Sequence, residues 1–145
     1  MTSPVWIIDG SLVSRTILKI TLRRAGIAST SYSEGYEALR DLWEMPGAAP
    51  GLMLIEGRLS DMDGYEVIAQ VRRLLTRRQT AIVELSNRSG IVDRLKSRLA
   101  GSDDYLTKPF LVAEVRDVAS KHLTRIGRRS GGAAASDSQE QPAYR

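Results

Sequence analysis

The sequence contains no cysteine, only one histidine and no long hydrophobic run. The absence of cysteine excludes a disulfide framework, a thiolate metal site and a cysteine nucleophile, and it suits a reducing compartment. No segment approaches the roughly 20 apolar residues that a transmembrane helix requires, and Met1–Pro4 does not form a basic leader. We therefore expect a cytoplasmic protein without a membrane-spanning segment, and we assign no chemistry to the lone His122.

The charge balance is only mildly basic. Lysine and arginine number 21 against 17 aspartates and glutamates, which gives a net charge of +4 at pH 7. Such a balance does not identify a nucleic-acid binder, and no helix-turn-helix follows the last apolar helix, so no nucleic-acid partner is expected. A length of 145 residues with 42% hydrophobic content fits one domain with a core of ordinary size.

Short apolar runs alternate with longer amphipathic segments, and this pattern occurs five times. It predicts five strands in a parallel sheet that helices cover on both faces. The predicted strands are residues 5–8, 27–32, 52–55, 80–85 and 105–107, and the last helix is predicted over 111–126. From Gly127 the composition turns to Gly, Ala, Ser and Gln, so a domain over residues 1–126 and a disordered tail over 127–145 are predicted.

The apolar residues of each helix predict the face that it buries. In the first helix these are Leu12, Ile17, Ile20 and Leu22. In the second, Ser33 is predicted to cap a helix that carries Tyr36, Leu39, Leu42 and Trp43. In the third, Val67, Ile68, Val71, Leu74 and Leu75 are expected to point inward. The arginines at the end of that helix, at positions 72, 73, 77 and 78, are expected to form a solvated face.

Polar residues stand where four of the five predicted strands end. They are Asp9, Glu56, Ser86 and Lys108. The carboxyl ends of parallel strands share one edge of the sheet, and ligands of open α/β sheets bind there. Two carboxylates, a hydroxyl and an amine at one edge suit the handling of a phosphoryl group, which needs an acceptor and groups that hold its oxygens.

Five segments occur in a fixed order along the chain. They are Ile7-Ile8-Asp9, Leu54-Ile55-Glu56, Met62-Asp63-Gly64-Tyr65-Glu66, Leu85-Ser86 and the run from Gly101 to Phe110. In this order they resemble a response-regulator receiver domain of two-component signalling. The last segment is the most specific, because a Lys-Pro pair closes a fifth strand after a Met-Asp-Gly turn at the right distance. The resemblance implies a flavodoxin-like, doubly wound (βα)5 fold with strand order 2-1-3-4-5.

The resemblance also implies a role for each position at the sheet edge. Such domains carry an acidic pair for magnesium, a phosphoaccepting aspartate, a serine or threonine and a lysine. The positions retained here are Asp9, Ser86, Lys108 and, at the place of the switching aromatic, Tyr105. Gly10 replaces the second acid, and Glu56 replaces the phosphoacceptor. The first replacement affects metal binding, and the second affects covalent chemistry.

These departures predict a site that has lost its metal. Without a ligand from Gly10, magnesium should bind weakly or not at all, at best through Asp9, Glu56 and the backbone of Arg58. The Arg58 side chain could restore neutrality. Glu56 is one methylene longer than aspartate, so its carboxylate either reaches Lys108 and Ser86 in an active-like state or pairs with Arg58 in an inert one.

Two further residues depart from the family pattern. Asn87 stands where a small residue is usual, and its bulk should narrow access to the site. Glu84 stands in the fourth strand where an apolar residue is expected, and a buried carboxylate requires a partner.

Three functions remain open from the sequence. The leading one is a non-enzymatic pseudo-receiver that contacts a histidine kinase or a downstream effector through the face formed by helix 4, strand 5 and helix 5. The second is a receiver that still accepts a phosphoryl group from a histidine kinase. The third, a haloacid-dehalogenase-like phosphatase starting at Asp9-Gly10, is weak because Ser11 stands where that family needs a second aspartate. Homodimerisation, the pathway, and whether the chain is a fragment are left open.

Overall fold

The structure is a computed structural model that describes residues 3–135, of which 128–135 are described as backbone only. Its strands are β1 (Val5–Ile8), β2 (Ser29–Tyr32), β3 (Leu52–Glu56), β4 (Ala81–Ser86) and β5 (Asp104–Thr107). Its helices are α1 (Leu12–Arg24), α2 (Gly35–Glu44), α3 (Gly64–Leu74), α4 (Ile91–Ala100) and α5 (Val112–Ala135), with a short 3-10 turn at Pro46–Ala48. All pairings are parallel in the order β2-β1-β3-β4-β5, which confirms the predicted topology.

The sheet separates two hydrophobic cores. Val5 and Ile7 of β1 face the core beneath α1 and α5, whereas Trp6 and Ile8 face the core beneath α2 and α3. Such strands are apolar throughout because helices cover both of their faces. β2 lies at the edge and is only half-buried, which agrees with its weaker apolar character in the sequence.

The helices bury most of the predicted residues, among them Leu22, Leu39, Leu42, Val67, Ile68, Val71 and Leu75, but they expose others. In α1 the buried residues are Leu18, Thr21 and Leu22, whereas Leu12, Ile17 and Ile20 are exposed. Tyr36, Trp43 and Leu74, which were also expected on buried faces, are exposed as well. A helix lying on a sheet buries only the narrow stripe at spacings of three and four residues, so apolar character alone does not identify it.

The N-terminus of α2 is capped by a residue distant in sequence. The N-cap position is Glu34, which makes no side-chain cap, so the prediction that Ser33 caps this helix is wrong. Asp61, in the loop between β3 and α3, accepts hydrogen bonds from the backbone N–H groups of Gly35 at 3.1 Å and Tyr36 at 2.9 Å. A carboxylate at a helix N-terminus satisfies free backbone N–H groups and interacts favourably with the helix dipole. This contact therefore holds the loop against α2.

An ion cluster joins the end of α3 to the loop before β5. Asp103 accepts from Arg72 Nη2 at 2.6 Å, from Arg77 Nη1 and from the Ile82 backbone N–H at 2.8 Å. Arg72 also donates to the carbonyls of Gly101 and Thr80. The Arg72 side chain is therefore largely buried, and the prediction of a uniformly solvated arginine face is wrong for this residue. A planar guanidinium suits this role because it can donate in several directions at once.

The last helix is longer than the sequence suggests. α5 continues past Ile126, where the predicted helix ends, as far as Ala135. Alanine and arginine, which are common in this segment, are strong helix formers and locally outweigh the three glycines. The remainder of the predicted tail, 136–145, lies outside the described residues. Between residues 3 and 135, no helix combines the length and the apolar character that crossing a bilayer requires.

Replacing Asp103 by asparagine should destabilise the fold. The change leaves Arg72 with an unpaired, mostly buried charge, and removing one partner of a buried ion pair costs about 3 kcal/mol at the lower end of the usual range. Urea denaturation should show this loss in the free energy of unfolding. Asp117→Asn, at an exposed position on α5, is the matched control and should stay within about 0.5 kcal/mol of the unmodified protein. Equal effects of the two changes would contradict a structural role for the cluster.

Candidate functional site

The parallel sheet brings the predicted site residues to one edge. Asp9 directly follows β1, Glu56 ends β3, Ser86 ends β4 and Lys108 directly follows β5. Because β1 lies between β2 and β3, the connections from β1 and β3 leave in opposite directions and open a crevice at this edge. The crevice is where the four polar residues lie.

Lys108 lies between two carboxylates. Its Nζ is 2.8 Å from Asp9 Oδ2 and donates a hydrogen bond to Glu56 Oε2 at 3.1 Å. The contact with Asp9 is an ion pair without hydrogen-bond alignment, since Oδ2 has no hydrogen-bond partner in the described part of the chain. The side chains of Asp9, Lys108 and Glu56 are 0%, 12% and 16% exposed. The carboxylates of Asp9 and Glu56 thus share one ammonium group in a mostly buried site.

Backbone amides hold the same carboxylates from the other side. The Gly10 N–H donates to Glu56 Oε1 at 3.0 Å, and the Ser11 N–H donates to Asp9 Oδ1 at 2.8 Å. Burial raises the pKa of Glu56 above its ordinary value; the Gly10 amide opposes this rise, the neighbouring Asp9 adds to it, and the Lys108 ammonium opposes it. Both Glu56 oxygens therefore have partners supplied by the protein.

The remaining predicted residues lie near this group but do not contact the Glu56 carboxylate. The Ser86 hydroxyl accepts from the Arg88 N–H at 3.0 Å. Tyr105 is buried; its hydroxyl donates to the Arg88 carbonyl at 2.6 Å, and the Arg94 guanidinium lies over its ring at 4.9 Å. Arg58 is exposed and forms no ion pair with Glu56 or any other acid among residues 3–127. Glu56 thus reaches Lys108, but neither Ser86 nor Arg58.

Gly10 leaves free space that a side chain could occupy. An ideal Cβ at this position would lie 3.7 Å from Glu56 Oε1 and 3.9 Å from the Ser33 carbonyl, which are ordinary contacts. On the other side of Glu56 lies a cavity of about 80 Å³, and Asn87 is among the residues that line it. Within the described residues, no group of three or more His, Cys, Asp or Glu side chains is placed to hold a metal ion.

Glu84 is a buried carboxylate on the α3 and α4 side of β4. Its residue is 1% exposed, and its Oε1 has no hydrogen-bond partner in the described part of the chain. Burial raises its pKa to about 6, which the Ser97 hydroxyl opposes and the charges of Asp93 and Asp63 reinforce. The sequence predicts a partner for the buried Glu84 carboxylate. Among the described residues, Oε1 of Glu84 has none.

His122, to which we assigned no chemistry, is a buried residue that pairs with the start of β5. Its Nε2 is 3.1 Å from Asp104 Oδ2, and its Nδ1 is 3.4 Å from Arg125 Nη2. The hydrogen bond from His122 is the main cause that lowers the pKa of Asp104 to about 2. Helical spacing could have found it, because position 122 lies three residues from the buried Ala119.

Comparisons with known proteins identify the family of this chain. Residues 5–120 match the family described as the response regulator receiver domain. The chain is 28% identical over 119 residues to protein PilG of Pseudomonas aeruginosa, covering 82% of this chain and 86% of PilG. It is 32% identical over 140 residues to the transcriptional regulatory protein PrrA of Mycobacterium tuberculosis, covering 96% of this chain but only 56% of PrrA.

A solved structure shows the same fold. The response regulator receiver domain protein (CheY-like) from Methanospirillum hungatei superposes with a TM-score of 0.75 at 19% identity, covering 88% of this chain and 98% of that one. This likeness concerns the fold alone. The chain spans about half the length of PrrA, so the activities of that whole protein do not transfer directly to this chain.

Glu84→Gln should stabilise the protein above mildly acidic pH. Since the folded state raises the pKa of this carboxyl from 4.5 to about 6, ionisation costs stability, and the free energy of unfolding falls as the pH rises between these values. Glutamine cannot ionise, so the variant should be more stable by up to about 2 kcal/mol at neutral pH and by little below about pH 4. Urea denaturation across this range measures the difference; Glu66→Gln, at an exposed position, is the control. A pH-independent difference would contradict the assignment.

Proposed function

The chain belongs to the response regulator receiver domain family of two-component signalling, and we propose that it is a pseudo-receiver that signals by protein contact without phosphorylation. The observation that carries this proposal is the position of the Glu56 carboxylate, held by the Gly10 N–H and by Lys108. The Glu56 carboxylate, at the phosphoacceptor position, is therefore already hydrogen-bonded to Gly10 and Lys108, which would otherwise meet an incoming phosphoryl group.

The ion pairs of Lys108 with two acids in this site support the proposal. Asp9 and Glu56 share the Lys108 ammonium, and Gly10 offers no second acidic ligand. The residues present do not fit magnesium, which needs near-octahedral oxygen ligation, because Asp9 is fully buried and both Glu56 oxygens are engaged. We therefore propose that magnesium binds weakly or not at all.

The same contacts disfavour covalent chemistry at Glu56. In-line attack on a phosphodonor requires close placement of the nucleophile, and it requires neutralisation of the charge that develops. Both oxygens of the Glu56 carboxylate accept hydrogen bonds, and these hydrogen bonds would first have to break. A phosphatase reaction through Asp9 meets a similar obstacle, since that carboxylate is buried and paired with Lys108. We accordingly propose no enzymatic activity for this chain.

The surface formed by α4, β5 and α5 is the proposed contact face for a histidine kinase or a downstream effector in the cytoplasm. On α4, Ile91, Leu95 and Leu99 are 84%, 56% and 80% exposed, and their spacing of four residues places them along one side of the helix. An apolar row of this kind on the surface commonly marks a protein contact site.

Incubation with acetyl phosphate and magnesium should leave the unmodified protein without a phosphoryl adduct in intact mass spectrometry. The physical reason is that the Glu56 carboxylate is held by the Gly10 amide and by Lys108, with no second acid for a metal. A stoichiometric adduct that is lost in Glu56→Gln would overturn the pseudo-receiver proposal and would favour the phosphorylatable alternative.

A double variant provides the matched positive control. Gly10→Asp with Glu56→Asp restores the acidic pair and the shorter acceptor, and the free space at Gly10 accommodates the new side chain. This variant should gain a magnesium-dependent adduct under identical conditions, whereas Glu56→Asp alone should gain much less. If the double variant folds but acquires no adduct, the loss of phosphorylation has a cause other than these two positions.

A further inference from the structure

A second cavity lies beside the site, between the β3–α3 loop and β4. Its volume is about 430 Å³, a size typical of small-molecule sites. The lining residues that bear on its chemistry are Gly57, Arg58, Asp63, Tyr65, Glu84 and Arg88. The contacts of Glu56 with Lys108 and Gly10 described above do not involve this cavity.

Glu84 forms the closed end of this cavity. The residue is 1% exposed, and its Oε1 is buried without a hydrogen-bond partner in the described part of the chain. Gly57 leaves room for this carboxylate, because a Cβ built there would lie 2.2 Å from Glu84 Oε2. A buried carboxylate oxygen without a donor costs free energy, and a ligand that supplies a charged donor would recover it.

The open end of the cavity carries the opposite charge. Arg58 is exposed and has no ion pair among residues 3–127, and Arg88 has only a 3.8 Å contact with Asp93. The other acid of the lining, Asp63, is engaged as the N-cap of α3 through the Tyr65 N–H. The cavity is therefore negative where it is closed and positive where it opens.

This arrangement of charges disfavours ligands that carry charge of only one sign. A simple cation would have to pass two guanidinium groups, and a simple anion would meet the Glu84 carboxylate at the closed end. We propose that the cavity binds a small zwitterion of the amino-acid class, with its ammonium on Glu84 and its carboxylate between Arg58 and Arg88. The ammonium supplies up to three donors, and guanidinium groups bind carboxylates well. This proposal does not depend on whether Glu56 can be phosphorylated.

The test is a nuclear magnetic resonance titration of the 15N-labelled protein at neutral pH. The compounds are glycine, β-alanine, 4-aminobutyrate and 6-aminohexanoate, which differ only in the separation of their two charges. At least one should give saturable shifts of the Gly57 and Glu84 amide signals. The amine and the carboxylic acid of the same chain length, each lacking one charge, should bind about tenfold more weakly, as the loss of one charge-assisted hydrogen bond implies.

Variants assign the binding to this cavity. Glu84→Gln keeps the shape of the side chain and should weaken binding by at least about tenfold, whereas Glu66→Gln, exposed on α3 outside the cavity, should leave it unchanged. Arg58→Gln should reduce the preference for the zwitterion over the amine. Well-dispersed spectra of each free variant show that it is folded.

Three results would overturn the proposal. The first is that none of the four compounds gives a saturable shift. The second is that Glu84→Gln binds as tightly as the unmodified protein. The third is that Arg58→Gln leaves the preference for the zwitterion over the amine unchanged, because Arg58 would then not hold the carboxylate of the ligand.

Discussion

The ammonium of Lys108 is the group on which the edge of the sheet depends. It lies within 3.1 Å of both Asp9 and Glu56, so one positive charge attracts both carboxylates and reduces the repulsion between them, which burial strengthens. The three residues come from the ends of three different strands. Their mutual attraction therefore joins β1, β3 and β5 at the edge where receiver domains carry out their chemistry, and the protein itself supplies the compensating charge.

Two other mostly buried acids, Asp103 and Glu84, differ in how their charge is compensated. Asp103 receives two guanidinium groups and a backbone amide, so its burial is compensated and it holds α3 against the loop before β5. Glu84 has an oxygen without a partner in the described part of the chain, and its pKa is raised to about 6. A structural acid would be expected to resemble Asp103, and this contrast is why Glu84 suggests a ligand rather than a packing role.

The fold and the main site were predictable because their signals are local or follow from one topological rule. Continuous apolar runs identify strands that are buried on both faces, and parallel strands bring their carboxyl ends to one edge, which places Asp9, Glu56 and Lys108 together. The buried faces of the helices were less predictable. Ile17 and Ile20 are as apolar as Leu18 and Leu22, and only the position of the sheet decides which pair is covered.

The sequence by itself determined the order of the elements, the family resemblance and the two altered positions, Gly10 and Glu56, since these depend on residue type and spacing. The tertiary structure decided what each charged group contacts. Whether Glu56 meets Lys108 or Arg58, whether Arg72 faces solvent or Asp103, and whether His122 has a partner are settled between residues far apart in the chain. Ion pairs and hydrogen bonds act over a few ångströms, and only folding brings such residues within that distance.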